Sequence, residues 1–219
     1  MTIKHVMSAL AMVAAASGAQ ANTVLSESFD DVAALASAGW VQVNASTAPL
    51  GNAWFQGNSG IFAAASGAAN AYVAANFLST GSTTGAVSNW LMTPELSLDG
   101  SSALAFLVRT AGDGFLDKIE VRLSTSGASA DVADFGTLLG SFQASTDTGW
   151  VGLSYTLNGV AAPTTGRLAF HYVVDNVATA GNYLGIDDVV VTSAIPEPTT
   201  YLLMGLGVAG LMLRRRFTA

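Results

Sequence analysis

The sequence predicts an all-β protein body: a single antiparallel jelly-roll sandwich with one short helix, set between two apolar ends. Three observations carry this. Several stretches alternate apolar and polar residues with period two, the pattern of strands buried on one face. Runs rich in Gly, Ser, Thr and Asn, such as "STGSTTG" and "STSGASAD", separate these stretches. Only one segment carries the boundaries of a helix, and many strands with few helices favour a sandwich.

The strands can be justified one at a time. In "KIEVRLS", Ile119, Val121 and Leu123 face one way, with Lys118, Glu120 and Arg122 opposite. In "ALAFLVRT", Leu104, Phe106 and Val108 share a face opposite Leu107 and Arg109. "VGLSYTL" groups Val151, Leu153, Tyr155 and Leu157, and "RLAFHYVV" groups Leu168, Phe170, Tyr172 and Val174. The helix is expected over "VAALASA", capped by Asp30 or Asp31 and stopped by Gly39. The Ala-rich "IFAAASGAANAYVAANF" is ambiguous. Its alanines favour helix, whereas Gly67, Asn70 and the β-formers Ile61, Phe62, Tyr72 and Val73 favour strand-turn-strand.

Composition narrows the function classes. The chain of 219 residues has no cysteine, which excludes disulfides and thiolate metal sites. Between residues 22 and 194 there are four basic residues (Arg109, Lys118, Arg122, Arg167) against fourteen acidic ones. Such a body repels nucleic acid, whose phosphates need clustered Lys and Arg.

Both ends read as addresses. Residues 1–21 place Lys4 before the apolar stretch Val6 to Ala16, and Ala19 and Ala21 are the small residues a signal peptidase reads. Cleavage is expected after Ala21, leaving a body over 22–194 and a tail over 195–219. In the tail, Tyr201 to Leu213 is apolar and uncharged, short for a comfortable membrane-spanning helix, and is followed by Arg214, Arg215 and Arg216. Gly205, Gly207 and Gly210 match a G-x-G-x-x-G pattern. No strand precedes them and no acidic residue follows, so they make no nucleotide site. Pro196, Glu197 and Pro198 stand ahead of the apolar run, where two prolines keep the chain extended and open to an enzyme.

Pro196-Glu197-Pro198, the apolar helix and the arginine cluster together resemble the PEP-CTERM sorting tail of Gram-negative bacteria. The resemblance implies export, a transient membrane tether through the tail, and processing near the tripeptide by an exosortase. A permanent tail anchor is the alternative.

A second resemblance covers about Ser26 to Thr192. "ESFDD", Gly39-Trp40, "NAWFQG", "SNWLMTPELSL" and "NYLGIDDVVV" are similar to the choice-of-anchor J domain, a relative of cleaved-adhesin and MAM-type jelly rolls. It implies a calcium ion where the first and last strands meet, with Glu27, Asp30 and either Asp187 or Asp188 as ligands. Adjacent strand residues point to opposite faces, so only one of these two aspartates joins unless a bulge intervenes. The loop "AGDGFLDK", with Asp113 and Asp117, is a weaker metal candidate.

Catalytic signals are sparse. His5 leaves with the signal segment, so His171 is the one histidine of the expected mature body; it lies opposite the apolar stripe of its strand and is expected exposed or at a sheet edge. No G-x-S-x-G elbow surrounds a serine, and a lone histidine cannot build a zinc site. Trp54 and Phe55, among Asn and Gln in "GNAWFQGNSG", are candidate glycan contacts, with burial in the core as the competing fate of Trp54. Trp40 and Trp90 are expected in the core.

The expectation is therefore an exported, non-enzymatic surface or extracellular-matrix protein of a Gram-negative bacterium. Its role would be adhesive or structural in an exopolysaccharide layer, after handling by signal peptidase and exosortase. A carbohydrate-binding module is the alternative, and a secreted hydrolase the third reading.

Overall fold

The computed structural model describes residues 21–147, 149–158, 160 and 164–194. The signal segment up to residue 20 and the tail from Ile195 onward, with its expected membrane helix, lie outside the described residues. Among the described residues no helix is long and apolar enough to cross a membrane. Ala21–Ala194 forms one compact unit.

Two antiparallel six-stranded sheets make the sandwich. The first contains β1 (Ala21–Glu27), β3 (Phe55–Gln56), β4 (Val73–Asn76), β7 (Ala103–Thr110), β10 (Val151–Thr156) and β12 (Tyr183–Ala194). The second contains β2 (Val41–Asn44), β5 (Val87–Met92), β6 (Leu96–Leu98), β8 (Asp117–Ser124), β9 (Thr137–Ala144) and β11 (Thr164–Val174). The first runs in the order β10-β7-β12-β4-β3, with β1 also paired to β12. The second runs β2-β5-β11-β8-β9, with β6 also paired to β11.

The inward stripes are those the period-two pattern marks. Leu104, Phe106 and Val108 from the first sheet meet Ile119, Val121, Leu123, Leu168, Phe170 and Tyr172 from the second in one buried core. Phe106 and Phe170 touch edge to face across it, with centroids 4.9 Å apart. Each such side chain contributes about 1.5–3 kcal/mol by leaving water.

Each sheet is organised around a long strand whose partner changes midway. On one edge of β12, β4 pairs with Tyr183 to Ile186, and β1 takes over from Val189 to Ala194. On one edge of β11, β6 pairs with Thr164 to Gly166, and β5 takes over from Ala169 to Val174. A charged side chain fills each gap. At the second, Arg167 is buried and donates to the carbonyls of Gly39, Thr93 and Ala128.

Two local expectations are corrected. The segment after Asp31 is not an α-helix but a 3-10 turn, Val32–Ala34, followed by hydrogen-bonded turns to Gly39. Asp31 caps it through Ala33 N, and Gly39, at φ +88°, ends it. Seven residues are too few to repay helix nucleation, and Val32 and Leu35, three apart and both buried, suit the 3-10 repeat. In the Ala-rich segment only Val73–Asn76 is a strand. The preceding loop folds onto the outer face of the first sheet, where Phe62 stacks on Tyr72 and meets Trp150 and Tyr183 edge-on. Gly185 of β12 makes room for it: a Cβ there would lie 2.8 Å from the Tyr72 ring and 2.9 Å from Phe62.

Candidate functional site

Three places gather chemistry. The first is the gap in β12. Asp188 has φ +48°, and the register with β7 shifts between Asp187 and Val190. This is a β-bulge. It moves the inward stripe from Leu184 and Ile186 to Val189 and Val191, all four of which are fully buried. It also turns both aspartates toward one loop. Asp187 Oδ2 accepts from Ala65 N at 2.9 Å and Ser66 N at 3.3 Å, while Asp188 Oδ1 accepts from Ser66 Oγ at 2.9 Å. Burial pushes the Asp187 carboxyl up to about 6 against the pull of these donors.

The other expected acids border the same corner. Glu27 is the partner of Val189 in the β1–β12 register and accepts from Phe29 N. Asp30 Oδ1 lies 3.2 Å from where a Cβ on Gly67 would stand. The fold thus brings Asp187 and Asp188 together through the loop that also touches Asp30. Their all-oxygen chemistry suits calcium. Their spacing does not: among the described residues no three His, Asp or Glu side chains lie close enough to hold an ion. Of the weaker pair, Asp117 is fully buried, where Tyr172 Oη and Asn182 N donate to it at 2.6 and 2.7 Å; Asp113 accepts from the Asn182 amide.

The second place is a cleft of about 780 Å³ between the 3-10 turn, β2 and β3. Asp31, Gln42, Asn52 and Phe55 line it, with Trp40 and Trp54 in its floor. A neighbouring depression of about 350 Å³, walled by Leu50 and Leu78, shares Asn52 and Phe55 with it. Trp54 is 1% exposed and belongs to the core; its Nε1 is buried with no hydrogen-bond partner. The half-buried aromatic on the cleft wall is therefore Phe55, which Tyr183 backs at 6.0 Å between centroids.

The third place was not legible in the sequence. His171 does face away from the apolar stripe, but it is neither exposed nor at an edge. It sits on β11, between β5 and β8, with a side chain 12% exposed. Its Nε2 is 2.9 Å from Ser88 Oγ, which also accepts from Trp90 Nε1 at 3.0 Å. Its Nδ1 is 3.6 Å from Glu120 Oε2, beyond hydrogen-bonding distance, and so is buried without a partner. Ser88, His171 and Glu120 thus stand in a line like that of a hydrolase relay. The surroundings oppose that use. Glu120 Oε1 is held by Lys118 and Oε2 by Arg122. Despite its own partial burial, those hydrogen bonds draw the Glu120 carboxyl down to about 2. Burial lowers His171 to about 4, so it is neutral at pH 7.

The sandwich is a fold shared with cleaved adhesin domains. The K1 domain of Lys-gingipain from Porphyromonas gingivalis W83 superposes with a TM-score of 0.58 at 21% identity, covering 80% of this chain and 100% of that one. The K3 domain of the same protein gives 0.53 at 18%, covering 80% and 100%. The K2 domain gives 0.54 at 16%, covering 80% and 98%. Residues 194–216 match the PEP-CTERM protein-sorting motif. No curated protein matches the chain in sequence.

Proposed function

We propose that this is an exported, non-enzymatic surface or matrix protein. A signal peptidase removes residues 1–21, and an exosortase acts at the tail, near Pro196-Glu197-Pro198, before the body joins the cell surface or exopolysaccharide layer of a Gram-negative bacterium. The observation that carries the reading is the sorting motif over 194–216, which begins where β12 ends at Ala194. The acid excess of the body supports a solvated life outside the cell. The choice-of-anchor J assignment for residues 26 to 192 belongs to the same proposal, and the shared sandwich fold supports it. So does a structural calcium at the β12 bulge with Glu27, Asp30, Asp187 and Asp188 as ligands; its support is that the bulge turns both aspartates to one loop, and binding would require the four side chains to draw closer than they stand.

Mass spectrometry of the protein recovered from producing cells tests the reading. The expected mature chain starts at Asn22 and lacks the arginine cluster. An untrimmed chain in the cytosol would refute it. Binding of a defined glycan is a second reading, favoured by the cleft beside Phe55.

A further inference from the structure

We infer that the cleft between the 3-10 turn, β2 and β3 binds a neutral glycan chain laid across Asn52 and Phe55. This deepens the glycan-binding reading by naming the ligand class and the site. It rests on export only for where the glycan is met.

The shape is that of a track. The two depressions share Asn52 and Phe55, so those residues form a saddle between them. The larger one lies in the ~300–1,000 Å³ range of small-molecule sites. The smaller one continues past the saddle, where Leu50 and Leu78 are 58% and 59% exposed. Such apolar walls suit the C–H faces of a second sugar.

The polar groups are amides and a single carboxylate, each with hydrogen-bonding capacity to spare. Asn52 is exposed, and its side-chain amide makes no hydrogen bond among the described residues. Gln42 accepts from Trp54 N through Oε1, which fixes the amide and leaves Nε2 to donate. Asp31 caps the 3-10 turn through Oδ1 alone, leaving Oδ2 to accept hydroxyl protons. Gln56, in contrast, is fully used, tying Val32 N to the carbonyls of Phe29 and Asn70. Amides and one carboxylate beside an aromatic ring match a ligand that alternates hydroxyl donors and acceptors with C–H patches. Phe55, backed by Tyr183, pays little entropy to present its ring.

Charge sets the class. Among the described residues no Lys, Arg or His lines either depression. A uronate or sulfated polymer would meet Asp31 and an acidic body without a counter-charge, so the ligand is uncharged.

The test is affinity electrophoresis of the full chain, purified in mild detergent, through gels containing neutral galactan, glucan, mannan or xylan, with alginate and dextran sulfate alongside. At least one neutral polymer should retard it, and neither charged one should. Asn52→Ala and Phe55→Ala should each weaken retardation by about fivefold to tenfold. Asn52→Ala removes no hydrogen bond among the described residues, so an unchanged melting temperature will confirm its fold even if Phe55→Ala fails to fold. No retardation by any neutral polymer, stronger retardation by a charged one, or full retardation of both folded variants overturns the inference. Each result is independent of the trimmed ends, so a failure here is distinct from a failure of the export reading.

Discussion

Trp90 and His171 stack with ring centroids 3.8 Å apart and planes 16° from parallel. The indole covers one face of the imidazole, and Trp90 Nε1 donates to the same Ser88 Oγ that meets His171 Nε2. Trp90 is buried and the His171 side chain nearly so, and the pair shields that part of the second sheet's outer face from water.

The first prediction concerns pH. Burial lowers the folded His171 to about 4, whereas an unfolded histidine titrates near 6.5. The unfolded chain therefore binds more protons between those values, and stability falls as pH drops from about 6.5 to 4. Glu120, which faces the ring and is held down to about 2 by its hydrogen bonds to Lys118 and Arg122, stays ionised across that window. The loss due to His171 is on the order of 2–3 kcal/mol. Asp187 works in the opposite sense: its folded value near 6 lies above the unfolded 3.8, so acidification through that window adds stability. Urea midpoints at pH 4.5 and 7 should show a smaller acid loss in His171→Asn than in the parent chain, and a larger one in Asp187→Asn.

A second prediction bears on hydrolysis. Ser88 Oγ lies in line with His171 and Glu120, yet that carboxylate is neutralised by two cations. A fluorophosphonate probe should leave Ser88 unmodified, read by peptide mass spectrometry. Labelling that disappears in His171→Gln would instead establish an activated serine.

Arg167 provides the third. It is buried with three carbonyl acceptors on three separate segments, Gly39, Thr93 and Ala128. Arg167→Met should cost about 3 kcal/mol, the scale of charge-assisted hydrogen bonds lost together with their now unpaired acceptors. Arg167→Lys should recover only part of this, because an ammonium cannot reproduce the planar fork. Chemical denaturation measures both.

The fourth concerns calcium. If an ion joins the acids at the β12 bulge, adding calcium should raise the melting temperature of the full chain and a chelator should reverse it. The response should vanish in Asp188→Asn combined with Asp30→Asn. No shift at millimolar calcium would remove the ion from the proposal.

Much of the sandwich was legible because period two is a local signal: Leu104, Phe106, Val108 and their counterparts on β8 and β11 could be placed inside from neighbours alone. What was not legible depends on distant partners. The burial of His171 comes from Trp90, eighty-one positions earlier in the chain. Two adjacent aspartates face one loop only because Asp188 takes a left-handed backbone angle, which the pair "DD" does not announce. Arg167 looked like any outward strand residue until the change of partner on β11 supplied its three carbonyls. The segment holding Trp54 and Phe55 reads as a contact region from its turn-rich, amide-bearing neighbours. Which ring would be swallowed and which presented was decided by the packing of β3 on β4.

Ala21 lies opposite Ala194 in the β1–β12 register, so the chain enters and leaves the sandwich side by side. Phe55 sits opposite Ala74, which sits opposite Gly185 on that same last strand. Gly185 and Ala194 are nine strand positions apart, a stand-off of about 30 Å at ~3.3 Å per step. A molecule held by either extremity would therefore carry the Phe55 saddle at arm's length from its mooring, toward the opposite pole, where long polymers pass without crowding from the surface beneath.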